Sequence, residues 1–147
     1  MNDFLDPSKD TNKFEFKVIF KGNLKFLPKK IVENLIKLEK NNINRKKTLV
    51  IYLNYSGQDD ILNASKSLSL MKIFSKKNYQ EQLSSSGIPD PDILIRTGGY
   101  QRLSNFIMFN LTYTELFFTN TLWPDFSKKE LQNIIDNFLK IKRKYGL

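Results

Sequence analysis

The sequence predicts an α/β fold, a mostly parallel sheet flanked by helices. Three observations predict it. Short apolar or alternating runs recur along the chain, as strands do. Between them lie stretches whose apolar residues repeat at helical spacing. The length, 147 residues with 40% hydrophobic and 27% charged residues, suits one globular domain around a single core.

Residues 1–13 are polar and are expected to form an N-terminal arm ahead of a single domain over 14–147. Phe14 to Gly22, FEFKVIFKG, alternates apolar and polar and ends at a glycine turn, so it reads as a strand. Pro28 suits a helix start, and Ile31, Val32, Leu35, Ile36 and Leu38 mark an amphipathic helix as far as Lys40. NNINRKK is a polar loop. Thr48 to Tyr55 is nearly all apolar, as in a strand covered on both faces. After SGQDD, Asp59 or Asp60 is a candidate N-cap for a helix running to Met71. A short helix is expected over Tyr79 to Leu83, then a buried strand at DILIRT. Ser104 or Asn105 is expected to cap a short helix over Phe106 to Leu111, followed by a strand at TELFFTN. Trp123, in LWPDF, is the only tryptophan and is expected in the core. Ser127 with Glu130 three residues on forms a capping box. The helix it opens carries Leu131, Ile134, Ile135, Phe138, Leu139 and Ile141 largely on one face, with Gly146 as its stop.

Composition removes several kinds of chemistry. The chain has no cysteine and no histidine, so disulfides, zinc sites of the usual kind and a histidine base are excluded within it. No apolar run approaches the roughly 20 residues that span a bilayer. MNDFLDPSKD has neither the basic nor the apolar region of a signal peptide, so a cytoplasmic location is expected, with at most peripheral membrane contact. The net charge of +9 favours anionic partners. Its lysines are scattered, however, and no helix has a dense basic face, so nucleic acid is not an expected partner.

The chemistry concentrates in DILIRTGGYQRLSNF, Asp92 to Phe106. The chain has four arginines among 24 basic residues, and Arg96 and Arg102 stand within seven positions of each other. Arg96 follows an apolar strand, Gly98 and Gly99 permit close backbone approach, and Ser104 adds a hydroxyl at an expected helix start. Arginine's planar fork grips phosphate in a bidentate way. Two readings fit: a diphosphate cradle, or a turn whose surface arginines pair with nearby carboxylates. Glu115, in YTELFF, is either a metal ligand or a surface carboxylate. Mg²⁺ usually takes one or two carboxylates plus substrate phosphates, so a second acid would have to come from Asp60, Asp125 or another chain.

Taken together, PDILIRTGGYQRLSNF and the following YTELFFTNTLWPDF resemble the cis-prenyltransferase family, the undecaprenyl diphosphate synthase type of isoprenyl transferase. LPKKIVENLIKLEKNN and LVIYLNYSGQDDILNASKSL resemble its two preceding blocks. The resemblance implies condensation of isopentenyl diphosphate with an allylic prenyl diphosphate, Mg²⁺ as cofactor, and a homodimer or heterodimer with a related chain. By position it implies that Arg96, Arg102 and Ser104 hold the diphosphate of isopentenyl diphosphate and that Glu115 binds Mg²⁺. It also implies that this chain corresponds to the C-terminal part of the fold, lacking the N-terminal strand and helices. The family's Asp-Gly-Asn-Gly-Arg-Trp block, with its catalytic aspartate, has no match here, so no catalytic residue is expected in the chain and it is expected to be inactive alone. A non-catalytic partner subunit or degenerate copy is the alternative. Smaller departures are Tyr100 for a glutamate, Gln101 for a histidine, Ser56 and Gln58 for a glycine and an arginine, and Lys144 for the arginine of a C-terminal Arg-x-Gly.

Overall fold

The computed structural model describes residues 15–41, 43–71 and 74–146. The expected arm over 1–13 lies outside these residues. The chain divides into two compact units, one ending at Ser56 and one beginning at Gly57.

The first unit is a β-α-β arrangement. Strand β1 (Phe16–Gly22) leads through a short 3₁₀ turn to helix α1 (Lys29–Asn41), and strand β2 (Lys47–Leu53) follows. β1 and β2 pair in parallel, Phe16 opposite Lys47 and Gly22 opposite Leu53. The Pro28 carbonyl accepts from Ile31 and Val32 N–H, so proline opens the helix as its fixed φ allows. Alternation along β1 turns Val18 and Phe20 to one face, where they bury against Leu35 and Leu38 of α1. Val18 is 2% and Leu35 1% exposed. Ile51 and Leu53 pack against this cluster. The expectation that β2 is covered on both faces is not met in this unit, since no residue of β2 is buried. α1 covers only one side of the pair, and the apolar run of β2 supplies both.

The second unit carries helices α2 (Gly57–Met71) and α3 (Lys76–Gln82), strands β3 (Ile93–Arg96) and β4 (Glu115–Phe118), and helix α4 (Lys128–Phe138). β3 and β4 are parallel, Ile93 opposite Glu115 and Arg96 opposite Phe118. α3 begins earlier than Tyr79, because Ser75 caps it by accepting from Asn78 N–H. α4 opens on the expected capping box, Ser127 with Glu130. It ends at Phe138, well short of Gly146. Beyond it, Arg143 pairs with Asp92 and donates to the Tyr113 carbonyl at 2.9 Å, and Tyr145 meets the Tyr113 ring edge-on at 5.6 Å. These ties hold the tail away from a helical path.

Two further expectations are corrected. Trp123 is 75% exposed rather than in the core, and stacks on Phe126 at 6.3 Å between centroids. No helix covers Phe106–Leu111; a 3₁₀ turn at Met108–Asn110 stands there instead. No helix among the described residues is long and apolar enough to cross a membrane.

Candidate functional site

The site is built at the carboxyl end of β3, where open α/β sheets place their ligands. Arg96 is the last residue of β3, and its carbonyl accepts from Thr119 N–H at 3.0 Å. The chain then turns through Gly98 and Gly99, at φ 89° and 81°. Their amides are not open to a ligand. Gly98 N–H donates to the Thr121 carbonyl and Gly99 N–H to that of Thr119, both at 2.9 Å. Glycine is required here for its positive φ, which lashes the loop to the segment after β4.

The loop that follows brings the predicted cradle together. Arg96 Nη1 donates to the Arg102 carbonyl and to the Ser104 hydroxyl. The Arg102 guanidinium lies over the Tyr100 ring, with Cζ 4.2 Å from its centroid, and Arg96 Cζ stands 5.7 Å from the same centroid. Two cations and a hydroxyl therefore share one small patch. Beside it is a cleft of about 350 Å³, lined by β3, Arg102, Leu103, Phe106, Ile107 and Leu111. Its walls are largely apolar, and both arginines belong to its lining.

Ser104 and Asn105 stand in left-handed backbone, at φ 49° and 63°, so they begin no helix. The helix start expected at Ser104 or Asn105 is absent. Asn105 caps a helix elsewhere. Its carbonyl accepts from Gly57 N–H and its side-chain oxygen from Gln58 N–H, both at 2.8 Å. Asn105 thereby supplies the start of α2 and ties the cradle loop to it. Neither Asp59 nor Asp60 is the cap: both lie inside the first turn, and Asp60 accepts instead from Ser84 N–H and hydroxyl, at 2.9 and 2.7 Å.

Glu115 is not brought to the cradle. It opens β4 level with Ile93, three register positions from the Arg96 end, which is roughly 10 Å along a strand. Its neighbour is Arg143, whose Nε is 3.9 Å from Glu115 Oε1. Arg143 is held on Asp92, and that hydrogen bond raises its already high pKa, so it stays charged. A cation thus already stands against both Glu115 and Asp92. Among the described residues no group of three or more acidic, histidine or cysteine side chains could hold a metal. The residues present do not fit a Mg²⁺ shared between Glu115 and the cradle. Sequence reasoning named Tyr100 only as a departure from the family and Asn105 only as a cap for the helix after it, and it missed the Arg143–Asp92 pair. An aromatic residue set between two arginines was the available signal for the first; the pair, 51 residues apart, left none.

A parallel α/β frame with two arginines and a hydroxyl gathered at a strand's carboxyl end is an arrangement that can receive an anion. Comparison with known proteins makes this specific. Residues 1–146 match the prenyltransferase family described as undecaprenyl diphosphate synthase, and the chain belongs to that family. It is 40% identical over 152 residues to the isoprenyl transferase of Aquifex pyrophilus, covering 97% of this chain and 64% of that protein. It superimposes on the crystal structure of a probable undecaprenyl diphosphate synthase from Campylobacter jejuni with a TM-score of 0.82 and 26% identity, covering 99% of this chain and 69% of that one. Against lavandulyl diphosphate synthase from Lavandula x intermedia, in complex with dimethylallyl diphosphate, the TM-score is 0.85 at 25% identity, covering 99% and 67%. The chain spans less than two thirds of the curated relatives it matches.

Proposed function

We propose that this chain carries the isopentenyl diphosphate-binding part of a cis-prenyltransferase, which condenses isopentenyl diphosphate with an allylic prenyl diphosphate. The observation that carries the reading is the convergence of Arg96, Arg102 and Ser104 beside an apolar cleft. A diphosphate suits the charged end and a five-carbon chain suits the apolar wall. Family membership supports the same assignment.

In such a condensation the allylic carbon–oxygen bond breaks and diphosphate leaves. A carbon–carbon bond forms to isopentenyl diphosphate, and a proton is lost as the new double bond appears. The role proposed for Arg96, Arg102 and Ser104 is to fix the nucleophilic substrate and balance its charge. None of them is assigned as acid or base. These 147 residues contain no match to the family's Asp-Gly-Asn-Gly-Arg-Trp block, so catalysis needs residues beyond them, and a related chain is the proposed partner. That gap, with Glu115 facing Arg143, favours the second reading, a non-catalytic subunit.

The test is incorporation of radiolabelled isopentenyl diphosphate with farnesyl diphosphate and Mg²⁺. The chain is assayed alone and with the N-terminal part of a family member. Product only in the mixture is expected. No product in either, from a chain that binds isopentenyl diphosphate, establishes the non-catalytic reading instead.

A further inference from the structure

We propose that Tyr100 is a positioning residue for the diphosphate site, acting through Arg102. This rests on the reading of Arg96 and Arg102 as a diphosphate cradle. Tyr100 is 56% exposed, so it fills no core space. What it does contact is cationic: both guanidiniums lie within 6 Å of its ring centroid, the range of a cation–π attraction. The two arginines are held differently. Arg96 is anchored by hydrogen bonds to the Arg102 carbonyl and the Ser104 hydroxyl. Arg102 is exposed, and no carboxylate or carbonyl among the described residues accepts from its guanidinium. The Tyr100 face, at 4.2 Å, is what orients it.

That mode of holding matters for an anion site. A guanidinium donates through the N–H groups in its plane, and an aromatic face touches only the flat side. Tyr100 therefore restrains Arg102 while leaving its donors to a ligand. The glutamate usual in the family at this position can hold an arginine only through its in-plane N–H groups, whereas the ring holds Arg102 without taking them. The backbone supports the arrangement, because Gly99, immediately before Tyr100, is pinned to the Thr119 carbonyl. The ring side chain thus projects from a fixed turn.

The experiment measures binding of inorganic diphosphate and of isopentenyl diphosphate to the full 147-residue chain by calorimetry. Tyr100→Ala is expected to weaken both by about two- to five-fold, the worth of an exposed cation–π pair. Tyr100→Phe keeps the ring and is expected to bind as the unchanged protein does. Thermal melts of each variant establish that the fold is kept, as exposure at this position leads one to expect. If Arg102→Ala loses binding while Tyr100→Ala does not, or if Tyr100→Phe is as weak as Tyr100→Ala, the role of Tyr100 is overturned and the cradle stands. If Arg96→Ala and Arg102→Ala both bind normally, the cradle reading fails and this inference fails with it.

Discussion

Asn105 commits its carbonyl and its side-chain oxygen to the first amides of α2, from a left-handed backbone that most residues resist. Gly57, which receives one of these bonds, has no room for more. A Cβ there would meet the Asn105 carbonyl oxygen at 2.9 Å. Asn105→Ala is expected to cost about 1–2 kcal/mol in urea unfolding, the usual worth of a lost cap. Gly57→Ala is expected to cost more, and the two effects should fall short of adding because they act on one contact. The meeting of Arg96 with Ser104 was legible from the sequence, since both flank one Gly-Gly turn after a strand end, whereas the pattern alone left open whether they serve a ligand or the turn. The positive φ values at Ser104, Asn105 and Ile107 were not. None of these three is glycine, and no spacing pattern marks a turn whose purpose is to cap a helix 47 residues earlier. Trp123 shows the opposite error: a large apolar residue beside proline reads as core, yet its nearest ring partner is Phe126 on an exposed turn.

Elements were legible where the signal is local. The start of α4 needs only Ser127 and Glu130, and both halves of that capping box are present. Glu130 also accepts from Thr121 Oγ1 at 2.6 Å and from Thr119 Oγ1 at 3.2 Å. The bond from Thr121 leads, with Ser127 N–H and Thr119 adding to it, in holding its pKa below the ordinary carboxylate value. A carboxylate lowered in this way contributes stability that is fully present above its unfolded pKa. That contribution is lost as pH falls through the lowered folded value. Melting temperature against pH should therefore drop in acid for the unchanged protein, with part of that drop missing in Glu130→Gln. The end of α4 was not legible, because Arg143 finds Asp92 and Tyr113 across the unit, and no local pattern encodes that tie. The β3–β4 register carries a similar consequence. It puts Glu115 and Arg96 at opposite ends of the pair, with Arg143 beside Glu115. Titration of the 147-residue chain with Mg²⁺ alone is expected to reveal no site tighter than about 1 mM, the weak end for oxygen-ligated cations. A micromolar site would contradict this account of Glu115.

For the molecule as a whole, the α/β class was legible because periodicity survives in a single sequence, and the parallel pairing of β1 with β2 followed from the helix between them, whereas β3 and β4 pair in parallel with only a 3₁₀ turn between. What covers the remaining apolar surface was not. Phe26, Leu70, Phe74, Trp123 and Leu139 are each more than 70% exposed. Scattered exposed apolar residues are ordinary, but five large ones at this level in a small chain favour association. Light scattering coupled to gel filtration is expected to give a mass above that of one 17.3 kDa chain, and a monodisperse monomer would contradict it. Calorimetric titration with isopentenyl diphosphate asks of the loop after β3 whether its arginines hold a diphosphate. Each charge-assisted contact to an anion is worth about 1.5–3 kcal/mol. The unchanged chain should therefore bind, and Arg96→Ala should bind roughly ten- to a hundred-fold more weakly with its fold intact. Equal binding by both proteins would mean that the arginines of this loop serve the turn alone and that the diphosphate site lies elsewhere.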